Sequence, residues 1–144
     1  MLTDKGVKTI EFNARFGDPE AEVILPRLQS DFVEVIETVM DHKSCTLSWS
    51  DDVTLGVVLA SGGYPASSTK GALIRGLDQV DAQIYHMGTA LKEEGLVTDG
   101  GRVLIVVSKE KTLEQAYAKA YEEVKKIDCD CLFYRNDIGK KDMN

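Results

Sequence analysis

Positive charge is scarce in this chain, and the shortage narrows what it can do. Seventeen Lys and Arg stand against 24 Asp and Glu, for a formal net charge of −7, and no basic cluster with interleaved aromatics occurs. A duplex-binding surface needs such a stripe, so nucleic acid is excluded as an expected partner. No apolar run is long enough to span a bilayer, so no membrane partner is expected either. No signal peptide precedes the first strand, and the expected location is the cytoplasm. Three cysteines, Cys45, Cys129 and Cys131, are too few and odd in number for a disulfide framework. Cys129-x-Cys131 lacks the usual zinc-knuckle spacing, and only His42 and His86 offer imidazoles, so the pair reads as reduced thiols on one face of a short strand. The hydrophobic content, 43%, is ordinary and supports one respectable core in one compact domain with a short appendage.

The most informative stretch runs from Glu11 to Glu20. Read as a strand from Val7, it places Val7, Thr9, Glu11, Asn13 and Arg15 on one face and Lys8, Ile10, Phe12 and Ala14 on the other. The second face can pack. The first presents a carboxylate, a carboxamide and a guanidinium in a row, a set suited to magnesium and phosphate. Hard divalent cations take oxygen ligands, and magnesium in nucleotide sites rests on one or two side-chain oxygens plus the phosphates. Arg15 adds a planar fork for a phosphoryl or carboxylate group. Taken alone, Glu-x-Asn is more simply an exposed polar strand face.

The ten-residue string Glu11-Phe12-Asn13-Ala14-Arg15-Phe16-Gly17-Asp18-Pro19-Glu20 resembles the last magnesium-binding strand of the ATP-grasp ligases, and among them the phosphoribosylamine–glycine ligase family. Further matches follow in order. They are Ala60-Ser61-Gly62-Gly63-Tyr64-Pro65, His86-x-Gly88-Thr89-Ala90, Gly100-Gly101-Arg102-Val103-Leu104 and Phe133-Tyr134-Arg135-x-Asp137-Ile138-Gly139. The resemblance covers nearly the whole chain. It implies that Met1 opens inside a longer polypeptide whose ATP-grasp domain comes earlier, and the truncated look of the first hairpin agrees.

Along the chain, Asp18-Pro19-Glu20 reads as a helix start with Asp18 at the N-cap, followed by a short helical turn to Leu25 that breaks near Pro26. Leu25, Leu28, Phe32, Val35, Ile36 and Val39 then recur at helical spacing and are expected in the core. Strands are predicted over Thr46–Trp49, Val53–Ala60, Gln83–Met87 and Arg102–Ser108, with Asp99-Gly100-Gly101 as a turn. A second helix opens at Thr112 as cap and runs on Leu113, Ala116, Tyr117, Ala120, Val124 and Ile127. Leu132–Arg135 makes a last short strand, and Lys140–Asn144 is expected to fray. Trp49 reads as core. The fold class expected is α+β, with residues 1–40 a remnant of the ATP-grasp sheet plus a helix. Residues 41–144 are expected to form a mainly antiparallel β domain with a packed C-terminal helix.

The resemblance implies roles residue by residue. Glu11 would be shared by two magnesium (or manganese) ions and Asn13 would bind one, both ions sitting on ATP phosphates. Arg15, as the catalytic candidate, would hold the acceptor carboxylate or the acyl phosphate. Asp18 is either a helix cap, the simpler role, or a counter-charge for the ammonium group of glycine. Gly62, Gly63, Gly88, Thr89 and Gly100-Gly101 are either structural turns or loops closing over phosphoribosylamine, with Arg102 or Arg75 on its phosphate. His86 reads as hydrogen-bonded scaffold rather than a base, and Tyr134, Arg135 and Asp137 as a local anchor.

The family's reaction joins glycine to phosphoribosylamine in purine biosynthesis. ATP phosphorylates the glycine carboxylate, and the amine attacks the glycyl phosphate. ATP, glycine and phosphoribosylamine would meet this chain through upstream domains, and the chain alone is expected to be inactive. Two rivals stay open: a scaffold or interaction domain that closes the cleft without chemistry, and another ATP-grasp carboxylate–amine ligase.

Overall fold

A computed structural model describes residues 1–143. The chain opens on a small hairpin, β1 (Leu2–Thr3) and β2 (Gly6–Val7), with Gly6 at φ 86° in the left-handed region the turn requires. The expected strand beyond Val7 does not form: residues 8–14 have no regular structure. A strand needs neighbours for its amides and carbonyls, and past Lys8 the segment finds no sheet partner among the described residues.

Helix α1 (Glu20–Ile24) begins one residue later than expected, and a 3-10 turn at Leu25–Arg27 ends it at Pro26. Helix α2 (Phe32–Met40) does not continue from Leu25 and Leu28. It restarts at Asp31, whose carboxylate accepts from the amides of Val33 (2.8 Å) and Glu34 (3.1 Å). Its apolar stripe is not core here: Phe32 is 41% exposed and Val39 57%. The predicted strand at 46–49 shrinks to one bridge between Trp49 and Leu28, and Trp49 is 40% exposed rather than core.

The rest of the chain is built on one antiparallel sheet. Its strands are β3 (Val53–Ser61), β4 (Gln83–His86), β7 (Arg102–Glu110) and β8 (Leu132–Phe133), in the order β4-β7-β3-β8. A separate hairpin pairs β5 (Thr89–Lys92) with β6 (Gly95–Thr98); its two-residue connection, Glu93-Glu94, carries no turn signature in the sequence. Helix α3 (Leu113–Val124) is capped as expected, the Thr112 hydroxyl accepting from the Gln115 amide at 3.3 Å. Lys140–Met143 closes in a 3-10 turn rather than fraying, and Asn144 lies outside the described residues.

Alternation explains the layers. Leu55, Val57 and Leu59 of β3 stand opposite Ser108, Val106 and Leu104 of β7, so all six share one face. Helix α3 covers that face with Ala116, Ala120, Tyr121 and Val124, and the Ser108 hydroxyl donates to the Ala116 carbonyl at 2.6 Å. Each fully buried aliphatic side chain there contributes about 1.5–3 kcal/mol. On the opposite face Gly56 leaves room for α1: a Cβ at Gly56 would lie 2.7 Å from Val23 Cγ1 and 2.6 Å from Ile105 Cδ1.

One carboxylate sits inside this packing. Glu123 is fully buried and accepts from the Asp81 amide (2.6 Å) and from Lys126 (2.8 Å), with Lys119 at 3.1 Å. Burial pushes its pKa up, but the bonds from Lys126, the Asp81 amide and Lys119 outweigh burial and hold it at about 2. A depressed folded-state value stabilises the fold above the ordinary carboxylate range and loses that contribution as pH falls toward 2. Urea unfolding between pH 7 and pH 2 should therefore show stability falling below about pH 4.5. The Glu123→Gln variant should be about 2 kcal/mol less stable at pH 7 and should show a shallower decline.

Candidate functional site

Glu11 and Asn13 meet on one side of the irregular N-terminal segment, with Asn13 Nδ2 3.3 Å from Glu11 Oε1. Both are exposed, and so is the other face, where Phe12 is 92% exposed rather than packed as expected. Arg15 does not extend the row: its Nη1 donates to the Phe16 carbonyl at 2.9 Å. The two oxygen-bearing side chains thus meet although the expected strand does not form, and the guanidinium turns away to the Phe16 carbonyl.

Asp18 is not the cap. Helix α1 has no side-chain cap, and the Glu20 carboxylate reaches back to the Gly17 amide at 3.1 Å instead. Arg102 claims Asp18: Nη1 donates to its carbonyl at 2.8 Å, and Nη2 lies 3.4 Å from its carboxylate. The register of β7 makes this contact possible. Leu59 pairs with Leu104 but Ala60 pairs with Arg102, so Val103 is an extra residue. Such a bulge reverses the facing of the residues beyond it. Arg102 therefore joins the α1 side of the sheet, where Lys109 also reaches the Pro26 carbonyl at 2.9 Å.

The glycine loops gather at the same end of the sheet. The Ser61 amide and hydroxyl donate to the carbonyls of Gly101 (2.8 Å) and Gly100 (2.9 Å). The amides of Met87 and Gly88 both donate to Val103, and the Gly88 carbonyl accepts from Asp99 at 2.8 Å. Gly62 donates to the Cys131 carbonyl at 2.8 Å. The amides of Gly62 and Gly88 are therefore committed within the protein and are not bare donors for an anion. Gly88 is required for contact instead, since a Cβ there would lie 2.6 Å from the Arg102 carbonyl oxygen and 2.8 Å from Gly100 Cα. Thr89 Oγ1 and His86 Nδ1 are 3.0 Å apart, the scaffold role expected for the histidine. Arg75 is tied through its backbone to Asp128.

Sequence reasoning did not foresee the cavity beside Arg102. About 580 Å³ in volume, it is lined by Pro19, Tyr64, Pro65, Phe133, Tyr134 and Arg135, among others. Arg135 holds Asp137 through two parallel bonds of 2.9 and 2.7 Å, which keep the Asp137 carboxyl below its ordinary range. The Tyr121 hydroxyl donates to the Arg135 carbonyl at 2.6 Å, so the anchor read from Tyr134, Arg135 and Asp137 is present. The residues lining the cavity are spread from position 19 to 135, and only the fold brings them together. Among the described residues, no hydrogen bond or ion pair joins Glu11, Asn13 or Arg15 to these loops, and no group of three or more metal-ligating side chains occurs. No helix among them is long and apolar enough to cross a membrane.

Residues 54–141 match the family model described as "Phosphoribosylglycinamide synthetase, C domain". The chain belongs to this family. A phosphoribosylamine–glycine ligase of Halalkalibacterium halodurans is 54% identical over 143 residues, which is 98% of this chain and 33% of the relative. One from Caldanaerobacter subterraneus is 45% identical over 96% of this chain and 34% of its own length. The crystal structure of the Thermotoga maritima phosphoribosylamine–glycine ligase superposes with a TM-score of 0.81 at 35% identity, over 96% of this chain and 35% of that one. The chain thus spans about a third of the length of the relatives it matches. Similarity to them reaches the N-terminal segment with Glu11 and Asn13, ahead of the span the family model matches.

Two substitutions separate packing from ion pairing here. Gly88→Ala should cost about 1–3 kcal/mol through overpacking against Gly100 and Arg102. Arg102→Ala, which removes an ion pair half open to solvent, should cost no more than about 1 kcal/mol. Urea unfolding of the two variants measures both.

Proposed function

We propose that this chain is the C-terminal part of an ATP-dependent ligase that joins glycine to 5-phosphoribosylamine by way of glycyl phosphate. The products are glycinamide ribonucleotide, ADP and phosphate, in de novo purine biosynthesis. The observation that carries this reading is the meeting of the Glu11 carboxylate and Asn13 carboxamide on one solvent-facing side of the segment. The relatives' name, phosphoribosylamine–glycine ligase, gives the pair its context.

The two side chains suit a hard divalent cation bound mainly by nucleotide phosphates and water. Rotating the Asn13 carboxamide would put its oxygen where Nδ2 now meets Glu11. Magnesium or manganese held there would offset charge on the phosphoryl group passing from ATP to the glycine carboxylate. Arg15 needs to give up only one exposed hydrogen bond to grip that carboxylate or the acyl phosphate. Asp18, half exposed, is proposed to face the ammonium group of glycine, and Arg102 the phosphate of phosphoribosylamine, with Gly62, Gly63, Gly88 and Thr89 shaping the same wall. The location proposed is the cytoplasm.

We also propose a division at about residue 40, with 1–40 carrying the chemistry and 41–144 chiefly shaping and closing the cleft. The committed amides of Gly62 and Gly88 support that supporting role for the second part.

In a polypeptide extended upstream to the relatives' full length, Glu11→Gln should lower kcat on the order of a hundredfold. Because Glu11 is exposed, it should leave stability within about 0.5 kcal/mol. An unchanged kcat would remove Glu11 from the metal role. The 144 residues alone should give no ATP- and glycine-dependent product, and a detected product would overturn the division of labour between this chain and the upstream part.

A further inference from the structure

The ligase reading leaves one chemically active pair unused. Cys129 and Cys131 face each other across a single residue, with Sγ atoms 3.7 Å apart, and both are partly accessible. The turn that carries them is held at both ends. Leu132 donates to the Cys129 carbonyl at 3.1 Å, closing the turn. Just before it, Asp128 exchanges two backbone bonds with Arg75, of 2.9 and 3.0 Å. Just after it, the Cys131 carbonyl accepts from Gly62 and β8 pairs with β3. The two thiols are thus kept in contact by backbone bonding that does not involve the sulfurs. A covalent S–S bond is about 2.05 Å, and rotation about the Cα–Cβ bonds is the available way to close the gap.

We infer that Cys129 and Cys131 form a reversible dithiol–disulfide site, oxidised by low-molecular-weight disulfides, whose state is passed to the Gly62-Gly63 loop through the Cys131 carbonyl. The Cys131 thiolate attacks one sulfur of a small disulfide such as oxidised glutathione, giving a mixed disulfide and expelling one thiolate. The Cys129 thiolate then attacks the Cys131 sulfur and expels the second. Two protein thiols lose two electrons, one small disulfide becomes two thiols, and the two protons go to the departing thiolates. Burial pushes the Cys129 thiol up and lowers its thiolate share, so it takes the second step, where the adjacency of its partner sulfur makes up for the smaller share. An eleven-membered ring this small is strained, and strained disulfides are the readily reduced kind. Cys45, exposed and far along the chain, has no such neighbour.

The test uses the Cys45→Ser chain, which leaves the pair intact, incubated with oxidised glutathione. Intact-mass and peptide analysis should show loss of two hydrogens within the Cys129–Cys131 peptide, no retained glutathione, and full recovery with dithiothreitol. The Gly62 amide resonance should move on oxidation. In Cys45→Ser/Cys129→Ser, the remaining Cys131 should stop at one glutathione adduct. Uptake of two glutathiones by the intact pair, no reaction at either thiol, or a disulfide formed only in urea would overturn the site. A disulfide with an unmoved Gly62 resonance would overturn its coupling to the loop.

Discussion

The pairing of β3 with β7 is the constraint on which the rest of the structure depends. Nine-residue strands run antiparallel from Val53–Glu110 to Ala60–Arg102. That one ladder provides the face α3 covers, the opposite face that takes Val23, and the end where the glycine loops meet. Its aliphatic pairs, Val57 with Val106 and Leu59 with Leu104, are almost wholly removed from water. Strand β4 adds to one side of the ladder and β8 to the other, both short. If the register slipped by one residue, the buried set would turn outward, so register is strongly fixed over most of its length.

Where the register changes, at Val103, the structure does something a regular ladder would not. The extra residue sends Arg102 to the side of the sheet where α1 begins, and its guanidinium ties Asp18 to the sheet across 84 positions. The N-terminal segment thereby ends in a fixed place even though residues 8–14 join no sheet. Residues 8–14 and the stripe of α2 leave apolar side chains in water, among them Ile10, Phe12, Ile36 and Val39. Sequence similarity to proteins three times as long sets the context for those faces.

The two halves of the chain use polar groups in opposite ways. In the C-terminal part nearly every candidate group is already committed: Gly62 to Cys131, Gly88 to Val103 and Asp99, Arg135 to Asp137, Glu123 to two lysines and an amide. Ahead of it, Glu11 and Asn13 find only each other. Committed groups hold shape, and uncommitted oxygens are the ones available to a ligand, which is why the proposed chemistry falls to the first part and the proposed support to the second.

Residue type and local spacing by themselves determined the α+β class, both long strands, the Thr112 cap and the break in structure at Asp99-Gly100-Gly101, each set by alternation, helical period or turn chemistry within a few neighbouring residues. The family was legible in a different way, through motif strings that resemble it in sequence and order. The bulge at Val103, the capture of Asp18 by Arg102, the cavity at Tyr64 and Phe133, the exposed stripe of α2 and the β5–β6 hairpin were decided only by tertiary structure. In the first four, the outcome depends on which distant residue arrives as a competitor or fails to arrive as a cover. In the hairpin, Leu73 bridging Val97 and Ala72 donating to Thr98 anchor what the Glu93-Glu94 turn would not specify unaided.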